Sequence, residues 1–163
     1  MAKKQKKLNS MRLLEANNIP YEVLEYDPSI RDAELVAESL GLPEFMVYKT
    51  LITYSVATET PMIVILASDT QLDLKKLATA SGEKKVKMMK HADAEKATNL
   101  QVGGMTALML MDKNWQVYID SPATQLQNIV ISAGQRGLQL RIPVTPLLPL
   151  IRARIADVSE QKD

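Results

Sequence analysis

The sequence contains no cysteine, which excludes a disulfide framework, a thiolate zinc site and a cysteine nucleophile. It contains a single histidine, His91. Any Ser-His pair or multi-histidine metal site must therefore run through that residue or not exist. His91 stands in a charged, helix-like stretch, Lys90-His91-Ala92-Asp93-Ala94-Glu95-Lys96, where a solvated position near a helix start is expected; neither a metal nor another cofactor is implied. Aromatic residues are few, one Trp, one Phe and five Tyr, so the core must be built from Leu, Ile, Val, Met and Ala. No window approaches the roughly 18 apolar residues of a membrane span. The basic N-terminus, Met1-Ala2-Lys3-Lys4-Gln5-Lys6-Lys7, leads into Leu8–Glu15 and not into the unbroken apolar stretch of a signal peptide. A cytoplasmic protein with no membrane partner is expected.

What remains is an ordinary globular composition. The chain has 163 residues, 46% of them hydrophobic and 24% charged, with a net charge of +1. That suits one domain and excludes a disordered chain. Leu8, Met11 and Leu14 space an amphipathic helix that Asn17-Asn18 and Pro20 close. Tyr21–Tyr26 is rich in strand formers, and Asp32 and Gly41 bracket a second helix as N-cap and stop. Val47–Ser55 and Met62–Ala67 read as strands; the second is apolar on both faces and belongs at the centre of a sheet. Asp69 and Asp73 bracket the start of a helix that Gly82 ends, Val86–Met89 reads as a short strand, and a helix follows near Asp93–Ala97. Asp112-Lys113-Asn114 suggests a hairpin turn into Trp115–Asp120, and Asn128–Ser132 and Leu138–Ile142 are the last two strands. About seven strands and four helices, interleaved irregularly, predict a single mixed α/β domain with a mixed, barrel-like sheet surrounded by helices. The expected organisation is a basic arm over 1–7, the domain over 8–158 and a tail over 159–163.

Near-neutral net charge conceals segregation. Lys75, Lys76, Lys84, Lys85, Lys87 and Lys90 fall within sixteen residues beside one acid, Glu83, while acids gather between Glu15 and Glu38. Such a face is either solvated or a steering surface for a polyanion. It carries no aromatic side chain for stacking bases, so any RNA contact through it would follow backbone and shape.

Three constellations could carry chemistry. In Tyr48-Lys49-Thr50-Leu51, a strand would turn Lys49 toward the same side as Val47 and Leu51, where the cation must snorkel, pair or serve a cavity. In Val102-Gly103-Gly104-Met105-Thr106, paired glycines either form a plain loop or let backbone N–H groups approach a ligand. In Ile131-Ser132-Ala133-Gly134-Gln135-Arg136-Gly137, Ser132 has no evident base and is better read as a hydrogen-bonding residue than as a nucleophile.

In this order, Tyr48-Lys49-Thr50-Leu51, Val102-Gly103-Gly104 and Ser132-Ala133-Gly134-Gln135-Arg136-Gly137 resemble the YbaK/EbsC family. These are the aminoacyl-tRNA deacylases related to the editing domain of bacterial prolyl-tRNA synthetase, and the resemblance runs from about Leu8 to Val158. It implies hydrolysis of the ester joining a wrong amino acid to the tRNA 3′ end, with Cys-tRNA(Pro) the leading substrate. In the family cysteine can leave through its own thiol, a lyase-like route. The resemblance further implies catalytic roles for Lys49, Gly103 and Gly104 and substrate contacts from Tyr26, Thr50, Thr106, Ser132 and Gly134. It also implies aminoacyl-tRNA and prolyl-tRNA synthetase as partners, with no DNA; Lys75, Lys76, Lys84, Lys85 and Lys87 are the candidate acceptor-stem contacts. Where the family reads Gly-Gly-x-Ser-Pro-x-Gly, this chain has Gly103-Gly104-Met105-Thr106-Ala107-Leu108-Met109, and Asn99-Leu100 stands for Gly-Tyr. The altered loop is expected to narrow the pocket. It leaves a non-catalytic tRNA- or ligand-binding homologue as the alternative.

Overall fold

A computed structural model describes residues 7–162. Most of the predicted basic arm, including Lys3, Lys4 and Lys6, lies outside the described residues; Lys7 pairs with Glu15 at 2.9 Å. Helix α1 (Asn9–Ala16) buries Met11 and Leu14 and is tied down by the Ser10 hydroxyl, which donates to the Ala133 carbonyl. Strand β1 (Glu22–Glu25) leads to α2 (Ala33–Leu40). Asp32 caps α2 by accepting from the Glu34 N–H at 2.8 Å, and Gly41, at φ +68°, closes it. Strands β2 (Tyr48–Ser55) and β3 (Pro61–Ala67) pair antiparallel, and β4 (Thr70–Leu72) follows. Asp73 then caps α3 (Leu74–Ser81) through the Lys75 and Lys76 amides, while Asp69 precedes β4 and takes no part in that cap.

After β5 (Val86–Met88) and α4 (His91–Thr98), the chain departs from the predicted hairpin. The Leu108–Met111 stretch forms two 3₁₀ turns, Ala107–Met109 and Met111–Lys113, with Leu108 and Leu110 buried. It is apolar because it plugs the core, so no strand precedes Asp112-Lys113-Asn114 to form a hairpin. Strand β6 (Gln116–Asp120) instead enters parallel to β3. Strands β7 (Asn128–Ser132) and β8 (Leu138–Pro143) form the antiparallel pair expected. Helix α5 (Val144–Leu150) admits Pro146 because the first-turn amides have no helical partner to lose.

Three strands were not foreseen: β4, which lies where only the start of a helix was expected, and two near the C-terminus. β9 (Ala153–Ala156) runs parallel to β6, and β10 (Ser159–Gln161), in the stretch expected to be a tail, pairs antiparallel with β4. Buried Asp120 holds that end in place, accepting from the Val158 N–H and the Ser159 hydroxyl.

The strands make an open five-stranded sheet, β5-β2-β3-β6-β9, a three-stranded sheet, β1-β8-β7, and the β10-β4 pair. β3 occupies the centre with Ile63 through Leu66 almost wholly buried, as an apolar run on both faces requires. A parallel bridge between Val47 and Val130 brings the start of β2 against β7. The sheets approach a barrel without closing it, and helices cover them. That junction between β2 and β7 positions the site.

Candidate active site

A cavity of about 160 Å³ opens at the junction. Lys49 and Thr50 enter it from β2, Ser132 and Gln139 from the β7–β8 pair, and Tyr26 and Arg31 from the segment before α2. Gly103 and Met105 close it from the loop after α4. Lys49 is half-buried and does not snorkel fully into solvent; its Nζ donates to the Thr70 carbonyl at 2.6 Å. Burial pushes its pKa below the ordinary 10.5, opposed by the negative charges of Asp32 and Asp69. A cation held in partly dry surroundings acts more strongly on a neighbouring charge than one in water. Tyr48, also at the cavity, is held well above the usual phenol range by burial first and by Asp120 and Asp69 second. It is a neutral hydroxyl and no base.

The glycine loop is braced from three sides. Glu95 accepts from the Val102 N–H at 2.8 Å, Arg136 Nε donates to the Val102 carbonyl at 2.6 Å, and the Gly104 N–H donates to the Gln101 carbonyl at 2.8 Å. The Gly104 amide is thus committed to its own turn, whereas Gly103 lines the cavity. Gly103 adopts φ +92°, a left-handed conformation open to glycine. At Gly104 a Cβ would come within 3.3 Å of the Gly134–Gln135 backbone, so that glycine serves close packing of two loops. The Ser132 hydroxyl accepts from the Gly134 N–H at 3.1 Å and reaches toward the Gly103 carbonyl at 3.5 Å.

Of the residues singled out in the sequence, Lys49, Gly103, Tyr26, Thr50 and Ser132 converge on this cavity. Gly104, Thr106 and Gly134 do not line it. Thr106 is fully buried and caps the first 3₁₀ turn by accepting from the Leu108 N–H. Gly134 leaves room for Met109, whose sulfur would lie 2.1 Å from any added Cβ. Met109 therefore packs behind the loop, and Met105 is the loop methionine at the cavity wall. Lys75, Lys84, Lys85 and Lys87 are exposed, but Lys76 is engaged with Asp157 and the Ser159 carbonyl. Lys87 pairs with Tyr54 near the far end of β2, five residues from Lys49 and so roughly 16 Å along the strand. Sequence reasoning did not single out Arg31, Gln139 or Met105 at the cavity. Arg31 also faces an adjoining recess with His91 and Arg136.

Residues 27–149 match the aminoacyl-tRNA editing domain family. This chain belongs to that family. It is 37% identical, over 99% of its own length and 100% of the relative's, to EbsC of Enterococcus faecalis, a proposed Cys-tRNA(Pro)/Cys-tRNA(Cys) deacylase. Several solved structures share the fold. A hypothetical protein designated APE2540 has a TM-score of 0.85 at 22% identity, covering 94% of this chain and 100% of that one. A proposed trans-editing enzyme for prolyl-tRNA synthetase has a TM-score of 0.75 at 19% identity, covering 96% and 99%. Among the described residues, no helix is long and apolar enough to cross a membrane.

Proposed function

We propose that this chain is a free-standing aminoacyl-tRNA deacylase that removes cysteine from Cys-tRNA(Pro). The observation that carries the reading is the half-buried Lys49 ammonium sharing one cavity with Gly103. An aminoacyl ester is already activated, so its cleavage needs positioning and charge stabilisation more than a protein nucleophile. Water adds to the carbonyl carbon, or the cysteine thiol does so from within the substrate. The carbonyl oxygen gains negative charge, the ester C–O bond breaks, and the ribose oxygen leaves with a proton. Lys49 supplies the cation for that oxygen, and the Gly103 amide supplies a peptide dipole. Ser132, by binding Gly134 and reaching toward Gly103, holds the loop to the strand end.

The cavity lies below the 300–1,000 Å³ typical of sites for drug-sized ligands, which suits a small amino acid. EbsC supports cysteine as that amino acid, and the trans-editing relative supports prolyl-tRNA synthetase as a partner. On this reading the exposed lysines Lys84, Lys85 and Lys87 meet the acceptor stem while the 3′ end reaches the cavity. The test is to incubate the protein with Cys-, Ala- and Pro-charged tRNA(Pro) and count surviving ester. Rapid loss of Cys-tRNA(Pro) with Pro-tRNA(Pro) spared is expected. Survival of all three esters alongside intact tRNA binding overturns the proposal.

A further inference from the structure

Gln139 lines the cavity from β8, directly opposite Ser132 of β7 and Leu24 of β1. It is only 6% exposed, and its Oε1 is buried with no hydrogen-bond partner among the described residues. Native interiors pair nearly all such atoms, since an unpaired buried carbonyl oxygen carries its whole desolvation cost. A leucine here would fill the same space without that cost, so the amide's presence points to a donor that arrives from outside the fold. The terminal torsion of the side chain is broad, so a half-turn that exchanges the amide oxygen and NH2 would present the oxygen to an arriving donor.

The surroundings restrict what that donor can be. The cavity wall carries two cations, Lys49 and Arg31, and no carboxylate. An ammonium finds no carboxylate on that wall to pair with, although Asp32 and Asp69 act on Lys49 from outside the lining, and the neutral amine is the form that sits beside the two cations at least cost. A neutral amine still has N–H groups to place, and a carbonyl oxygen is the fitting acceptor. The neighbouring Ser132 hydroxyl is engaged with Gly134 and Gly103.

We infer that, on the deacylase reading above, the Gln139 side-chain carbonyl accepts a hydrogen bond from the α-amino group of the aminoacyl moiety. Gln139 is thereby a specificity residue that distinguishes a moiety bearing an α-amino group from one lacking it. It is also a positioning residue, since anchoring the amine at β8 directs the adjacent carbonyl carbon toward Lys49 and Gly103.

The test uses a probe that has no ester. 3′-Deoxy-3′-(alanylamino)adenosine and its des-amino analogue, 3′-deoxy-3′-(propanoylamino)adenosine, are titrated into the wild-type protein and into Gln139→Leu and Gln139→Glu, with binding read by calorimetry. Wild type is expected to prefer the free amine by roughly tenfold, the scale of one buried hydrogen bond. Gln139→Leu loses that preference with its melting temperature maintained, and Gln139→Glu, which keeps a carboxyl acceptor, retains it. Equal binding of both probes by wild type, or no binding of the free-amine probe, overturns the inference. A preference that persists in Gln139→Leu also overturns it, because another group of the cavity would then be recognising the amine. So does an equal loss of affinity for adenosine alone, which would assign the amide to the nucleoside. Because binding is read without turnover, failure here is distinguishable from failure of the deacylase reading, which rests on ester cleavage.

Discussion

Replacing Lys49 by methionine keeps the length and apolar stem of the side chain and removes only the charge, so it separates what the cation does for the reaction from what it does for the fold. For the reaction, an ammonium about 4 Å from a developing oxyanion, at an effective dielectric of about 20, contributes about 4 kcal/mol. A half-open cavity admits water and screens part of that, leaving a loss of roughly two to three orders of magnitude in the deacylation rate. For the fold the sign is opposite. Burial is the largest influence on Lys49 and lowers its pKa below 10.5, so at neutral pH the charged form is less at ease in the folded than in the unfolded chain. Deleting the charge relieves that penalty, at the expense of one hydrogen bond to the Thr70 carbonyl, worth about 1 kcal/mol. The melting temperature should therefore stay level or rise. The assay is single-turnover hydrolysis of Cys-tRNA(Pro) with thermal unfolding measured on the same preparations. Full activity in Lys49→Met refutes the cation's role in the reaction. A large fall in stability refutes the account of Lys49 as a residue held in place at some cost to the fold.

The pH dependence of the wild type follows from the same shift. Lys49 carries its charge below its lowered pKa, so the enzymatic rate, corrected for spontaneous ester hydrolysis, should fall as pH rises through a value below 10.5. Between that value and 10.5 the unfolded chain binds the proton and the folded chain does not, so stability should rise with pH there; Lys49→Met should flatten both trends. Reversing charge at Lys84, Lys85 and Lys87 should weaken tRNA binding and make its salt dependence shallower, by a little under one in slope for each phosphate no longer neutralised. Unchanged affinity would remove the patch from the interface. Lys76→Glu should instead lower the melting temperature, because Lys76 holds Asp157 and the Ser159 carbonyl at the C-terminal strand. Gly134→Ala should destabilise by about 2–5 kcal/mol, through strain at positive φ and overpacking against Met109. Adding Met109→Ala should recover part of that loss and not all of it, as chemical denaturation of the single and double variants would show.

Which of these features could be read from the chain alone depended on how local their causes are. Asp32 with Gly41 and Asp73 with Gly82 delimit α2 and α3 because a capping side chain acts on amides two or three residues away. The run Met62–Ala67 declares its central place by having no polar face. Lys49 is conspicuous in the sequence as a cation among apolar neighbours in a strand, and the fold sets it at a cavity wall. Non-local pairings leave no such mark. β9 and β10 are four and three residues long, too short for a periodic pattern, and exist because β6 and β4 offer edges far away in sequence. The loop glycines show the same limit. Gly103, Gly104 and Gly134 look alike in the sequence, yet Gly103 faces the cavity, Gly104 lies against the Gly134–Gln135 backbone, and Gly134 accommodates Met109. Met109 stands where the family has glycine and was expected to narrow the pocket; packed behind the loop, it leaves that to Met105. Gln139 gives no signal because a glutamine in a strand is ordinary until the β7–β8 register places it across from Ser132 and buries its oxygen without a partner among the described residues. The polar atoms that a fold leaves unpaired in a cavity wall are thus where structure adds most to sequence: their cost is visible only after packing, and a ligand is the simplest group to offset it.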